Sequence, residues 1–217
     1  MLSENNLLPV SVDPVIFTII DDKLHVLLLK RDREPFLGAM ALPGGLMEKT
    51  DGTLENSISR VLKNKTGIVP NYMEQLVTRT GHDPRGPTIS IAYLALGSNN
   101  EVTGSIWVPI NDAKKMNLAF DHNKVLDLAL ERLINKVNYS TIPTYLLPEL
   151  FTLPELYNIY NIILGTNRSN SRFRSKIDES GGVEKTDEIR HRGAARPATL
   201  YRATKDGPKF FVSNYIR

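Results

Sequence analysis

Between Leu42 and Gly67 the chain gathers residue types that could handle a phosphate or a metal ion. Leu42-Pro43-Gly44-Gly45 is a glycine-rich loop, and the acids Glu48, Asp51 and Glu55 follow it, then Arg60. Gly44, Gly45 and Arg60 can shape a phosphate-binding cleft. A magnesium ion would need hard oxygen ligands gathered on one helix face. The residues after Arg60 do not supply them: Val61 has no oxygen, Asn64 only a neutral one, and Lys65 adds a positive charge. Glu48, Asp51 and Glu55 leave room for weak metal binding, but the expectation is no catalytic residue, no metal and no cofactor. The competing reading is a plain amphipathic surface helix.

Two further groups could serve a ligand. Arg31 and Arg33 sit in Lys30-Arg-Asp-Arg-Glu-Pro-Phe-Leu-Gly38, either facing a pyrophosphate or forming an ordinary charged loop. Asp83 and Arg85 sit in Gly81-His-Asp-Pro-Arg-Gly86, which either reaches into a cleft or is a tight hairpin loop. His122, in Leu118-Ala-Phe-Asp-His122, reads as a base, as a metal ligand or, the preferred reading, as the satisfied start of a helix.

The elements that must position these groups follow from pattern. Val12–Ile20 and Leu24–Lys30 are apolar, rich in β-branched residues and separated by Asp21-Asp22-Lys23, which predicts a hairpin. Leu54, Ile58 and Leu62 recur at i, i+4 and i+8, so the helix after the loop has one buried stripe, and Gly67 stops it. Met73–Arg79, Thr88–Leu96 and Trp107–Ile110 predict strands. Asp121 is a predicted N-cap for a helix with Val125, Leu128, Ala129 and Leu133 on one face, ending near Val137. Tyr139–Pro148 is a proline-bearing connection. The boundary is placed there: residues 1–140 as one domain, 141–150 as linker and 151–217 as a second domain.

The second domain opens on Thr152 with Glu155 three residues later, a capping box, and Gly165 ends the helix that follows. Asn170–Ile177 predicts another helix, with Phe173 and Ile177 inward and Asn170, Ser171, Arg172, Arg174 and Lys176 available to a partner. Two short strands, Val183–Lys185 and Ala198–Ala203, enclose Arg190-His-Arg-Gly-Ala-Ala-Arg-Pro197. A helix, a short turn and a helix with polar and basic residues at its front suit a DNA major groove, and an Arg-rich loop between two strands suits the backbone or minor groove. Arg172 and Arg174 either pair with guanine or neutralise phosphates. Charge agrees with this division: the 217 residues carry a net +3, yet from Phe151 onward there are 12 Lys/Arg against 7 Asp/Glu. A basic segment of this kind suits a polyanion, or is simply a solvated surface.

The chain has no cysteine, which excludes a disulfide framework and a thiol nucleophile. No apolar run approaches a membrane span, and Met1-Leu-Ser-Glu-Asn-Asn lacks the order of a signal peptide, so the expected location is the cytoplasm without a membrane partner.

Leu42–Gly67 resembles the Nudix box, with Gly45, Arg60, Leu62 and Gly67 in place, one extra residue between Gly45 and Arg60, and Val61, Asn64 and Lys65 where that box has glutamates. From about Val10 onward the chain resembles the Nudix-related transcriptional regulators of NAD metabolism, the NrtR type. Phe151-Thr-Leu-Pro-Glu-Leu156 and Arg196-Pro-Ala-Thr-Leu-Tyr201 match that family's wording closely. The resemblance implies an α/β fold, a Nudix α/β/α sandwich with a mixed sheet, followed by a small winged helix-turn-helix domain. It implies a homodimeric repressor of double-stranded operator DNA that senses ADP-ribose or a related nucleotide. Arg31, Arg33, Gly44, Gly45, Arg60, Asp83, Arg85, Phe120 and Asp121 become candidate ligand residues. Asn170, Ser171, Arg172, Arg174, Lys176, Arg192, Arg196 and Thr199 become candidate DNA residues. Two alternatives stay open: an active ADP-ribose pyrophosphatase using Glu48, Asp51 or Glu55, and an arabinose-type sugar sensor of the same architecture.

Overall fold

The computed structural model describes residues 7–97, 105–166, 173–191 and 197–211. It divides into two compact units, Met1–Ile20 with Leu24–Leu130, and Asp21–Lys23 with Glu131–Arg217.

The first unit is built on a mixed seven-stranded sheet. Strands β1 (Val10–Ile20), β2 (Lys23–Lys30), β3 (Met40–Ala41), β5 (Tyr72–Asp83) and β6 (Gly86–Leu96) run in the order β3-β2-β1-β6-β5. Strand β4 (Gly45–Leu46) pairs with β1, and β7 (Ser105–Pro109) pairs with β2. β1 and β6 are parallel, with Asp13 opposite Ala92, and β5 returns antiparallel to β6. Successive side chains of a strand point to opposite faces. Val12 and Ile16 of β1 therefore share a face, which they bury with Leu27, Ile91, Tyr93 and Ala95 against Ile58, Val61 and Leu62. Those last three belong to helix α1 (Leu54–Thr66), so the predicted stripe is the one that is buried. Thr53 caps α1 by accepting from the Asn56 amide, and Gly67, at φ 62°, ends it. Asp13 projects to the opposite face. There helix α3 (His122–Tyr139) begins, after a one-turn helix α2 (Ile110–Ala113).

The second unit carries a 3-10 helix (Ile142–Leu146), helices α4 (Leu153–Leu164) and α5 (Phe173–Ser180), and the antiparallel pair β8 (Val183–Arg190) and β9 (Ala198–Ala203). The capping box at Thr152 and Glu155 is formed on both sides, and Gly165, at φ 62°, ends α4. Phe173 packs its ring 4.9 Å from Tyr157 and 5.4 Å from Tyr160. Ile177 is also buried, as the i, i+4 spacing of α5 predicts.

The contacts divide the chain between Leu130 and Glu131, inside α3, rather than after residue 140. Residues 141–150 are not a free connection: Ile142, Pro143 and Thr144 are buried in the 3-10 helix. Prolines there read as a linker because Pro143 stands at the start of a helix, where a missing amide hydrogen costs nothing. β8 also runs five residues beyond the expected Lys185, through a bulge between Lys185 and Ile189.

Candidate functional site

The glycine loop is held from both faces of the sheet. A Cβ on Gly44 would lie 2.2 Å from Asp13 Oδ1, and one on Gly45 3.0 Å from Val61 Cγ2, so the loop's backbone sits where side chains would otherwise be. The Leu42 amide donates to His122 Nδ1 at 2.9 Å, which ties the loop to the start of α3. His122 is thus an acceptor for the loop, a role the sequence reading had not assigned. Burial pushes its pKa down against the raising fields of Asp13 and Asp121, and the cations of Arg31 and Arg79 lower it further. The ring is therefore neutral, its proton on Nε2.

Arg60, expected as a phosphate ligand, closes the loop. Its Nε and Nη2 donate to the Asp51 carboxylate at 2.6 and 2.8 Å, Nη2 also reaches the Leu46 carbonyl at 2.8 Å, and Nη1 lies 3.0 Å from Glu48. The Arg60 bonds, then the Glu48 amide at 2.7 Å, hold the Asp51 carboxyl well below the usual carboxylate range. Asp51 and Glu48 are committed to Arg60, and the helix beyond them presents Val61, which is buried in the core. Among the described residues no group of three or more His, Asp or Glu could hold a metal.

A second cluster lies around Phe120, a half-buried residue at φ 56°. The Arg31 guanidinium stands 4.7 Å from the centre of its ring, a cation–π distance. Phe36 meets the same ring edge-on at 4.9 Å, and His122 lies 5.3 Å from it. Arg31 Nε donates to the Pro35 carbonyl at 2.7 Å, which folds the loop back towards the ring. Burial and then the like charges of Arg85 and Arg33 lower the Arg31 pKa, so cations are held close together here. Asp121 is paired with Arg79. Asp83 accepts from Arg85 Nη2 at 2.6 Å, an interaction that lowers the acid's pKa and raises the arginine's. Arg31, Phe120, Asp121, Asp83 and Arg85 are thus brought into one neighbourhood. Arg33 is exposed, 4.0 Å from Asp32, and contributes its carbonyl to Arg31.

Sequence reasoning missed Asp13, Arg79 and Phe36. Asp13 is buried and accepts from Ser11 Oγ at 2.9 Å and Ser90 Oγ at 2.6 Å. A lone acid inside the apolar run Val12–Ile20 was the available signal. Arg79 keeps Nη1 buried without a hydrogen-bond partner, an open donor beside Asp121. Its position inside a strand gave no local hint.

In the second unit Arg174 is exposed on α5, 3.9 Å from Asp178 one turn on. Lys176 is half-buried, and Thr199 lies on β9 opposite Ile189. Asn170, Ser171, Arg172, Arg192 and Arg196 lie outside the described residues. Arg190, read as part of the loop, is the last residue of β8 and donates to Glu155 at 2.9 and 3.0 Å, and to the Leu150 carbonyl. It braces the unit.

The family model described as a NUDIX domain matches residues 11–129, and the one described as an NrtR DNA-binding winged helix domain matches 143–203. The chain is 41% identical over 202 residues to the ADPR responsive transcriptional repressor NtrR of Acinetobacter baylyi, covering 88% of this chain and 80% of that one. It superposes on Shewanella oneidensis NrtR complexed with a 27mer DNA at a TM-score of 0.86 and 37% identity, over 94% of this chain and 98% of that chain. The Nudix domain of the same Shewanella protein, complexed with ADP ribose, matches at a TM-score of 0.56 and 40% identity, over 59% of this chain and 90% of that one.

Proposed function

The chain belongs to the NrtR-type family of Nudix-related transcriptional regulators, and from that premise we propose that it is an ADP-ribose-responsive repressor of NAD-metabolism genes that binds its effector without cutting it. The observation that carries the reading is the pairing of an aromatic ring with a cluster of cations. Phe120, beneath the Arg31 guanidinium and edge-on to Phe36, offers an aromatic surface to a nucleobase. Arg79, with a buried donor still open, and Arg85 offer charge-assisted bonds to a pyrophosphate. Gly44 and Gly45 let the loop approach closely, and Asp121 and Asp83 stand as the cations' partners.

The absence of hydrolysis is inferred from the acids. Asp51 and Glu48 serve Arg60, and Val61 offers no ligand, so the water-activating role of a metal has no donor set here. The winged unit, residues 131–217, supplies DNA contacts through Arg172, Arg174 and Lys176 on α5 and its approach, and through Arg192, Arg196 and Thr199 near the wing. Two copies related by two-fold symmetry would match a palindromic operator in the cytoplasm.

The test is a titration of the full chain with ADP-ribose, NAD and arabinose, alone and with a DNA duplex selected by the protein from a random library. ADP-ribose alone should bind and shift DNA affinity. Turnover of ADP-ribose with magnesium on the order of 1 per second or faster would overturn the non-hydrolytic reading. A response to arabinose instead would overturn the choice of effector.

A further inference from the structure

Asp121 is the residue from which α3 starts: its carbonyl accepts from the amides of Lys124 at 3.0 Å and Val125 at 3.4 Å. An aspartate there ordinarily caps the helix with its own carboxylate. Here that carboxylate is paired with Arg79 instead. The first turn of α3 contains no acidic residue, so the positive end of its dipole has no carboxylate of its own. Arg79, for its part, keeps Nη1 open to a further acceptor.

We propose that Asp121 is the coupling residue of the cleft: an anionic effector that engages Arg79 displaces the Asp121 carboxylate, which then caps α3. This rests on the reading of the cleft as the effector site. A phosphate drawn to Arg79 stands beside Asp121, and two like charges on one cation repel. The carboxylate has a second seat at the Asn123 amide, which lies in the first turn of α3 where an anion is favoured. The helix so capped is shared. Val125, Leu126 and Ala129 are buried in the first unit, and Leu133 and Val137 in the second. The effector therefore distinguishes two states of a helix that belongs to both units, which is the differential interaction that coupling requires.

The experiment follows hydrogen exchange at the Asn123 amide in the full-length protein, with and without ADP-ribose, alongside affinity for the selected DNA duplex. In the wild type, ADP-ribose should slow exchange at this amide and shift DNA affinity by about fivefold or more. Asp121→Asn keeps an oxygen that can cap but loses the ion pair. Exchange should then be slow without ADP-ribose, ADP-ribose should bind more tightly, and its effect on DNA affinity should fall towards onefold. Asp121→Ala removes both seats, so ADP-ribose should bind without slowing exchange; if that variant does not fold, Asp121→Asn decides alone. Equal slowing and an equal DNA shift in the wild type and Asp121→Asn would overturn the proposal while leaving the effector reading intact. Failure of the wild type to bind ADP-ribose would overturn both.

Discussion

Two buried side chains make the fold sensitive to acid in two different pH ranges. Asp51 has a folded pKa held below its usual 3.8 by Arg60 and the Glu48 amide. A depressed acid stabilises the fold above its unfolded value, and that contribution is lost as pH falls below it. Asp51→Asn should therefore lower the Tm at neutral pH and flatten its decline below about pH 4, measured by thermal unfolding across pH. His122 has a folded pKa pushed below 6.5, chiefly by burial. The unfolded chain takes up that proton first, so stability falls as pH drops below 6.5 even though the folded ring stays neutral. His122→Asn should make stability less pH-dependent below about pH 6.5, read by denaturant titrations at each pH. The His122 role was not legible in the sequence. The His122 partner lies 80 residues away, the Asp121 partner 42, and the Asp13 partner Ser90 77, whereas pattern reading sees only near neighbours.

Among the elements, those defined by near neighbours matched the sequence closely. Helix α1 begins after Thr53 and ends at Gly67, and α4 lies between Thr152 and Gly165, because caps and stripes are written within one or two turns. The strand lengths did not follow as well, since β8 continues through a bulge that only its pairing with β9 defines. Glu155 joins both kinds of information. It completes the capping box of α4 and also receives Arg190 from the end of β8. Glu155→Ala should destabilise the second unit by about 1–2 kcal/mol in urea unfolding, more than Thr152→Ala, which removes the cap alone.

For the whole molecule, charge placement bears on DNA affinity. Arg174 is exposed on α5 and carries only a long surface ion pair with Asp178, a contact worth little in water. Arg174→Ala should weaken DNA binding. If Arg174 meets a phosphate, the slope of log affinity against log salt should become shallower by about one and the loss should be uniform across sequences. A base contact would cost affinity mainly for the selected site. Fluorescence anisotropy across a salt series separates the two.

The place where the two units divide also bears on how such proteins can be recombined. Ser140 gives its carbonyl to the Tyr160 hydroxyl at 2.8 Å, and Thr141 exchanges bonds with Lys209. A hybrid that joined a different sensor to this DNA-binding unit at residue 150 would discard those partners, among them the carbonyl that receives a buried tyrosine hydroxyl. By its contacts the second unit, which also takes in Asp21–Lys23, resumes at Glu131. That position is halfway along a helix, so an incoming sensor would have to end in a half-helix of matching phase. Inheritance of the two units together is the easier course.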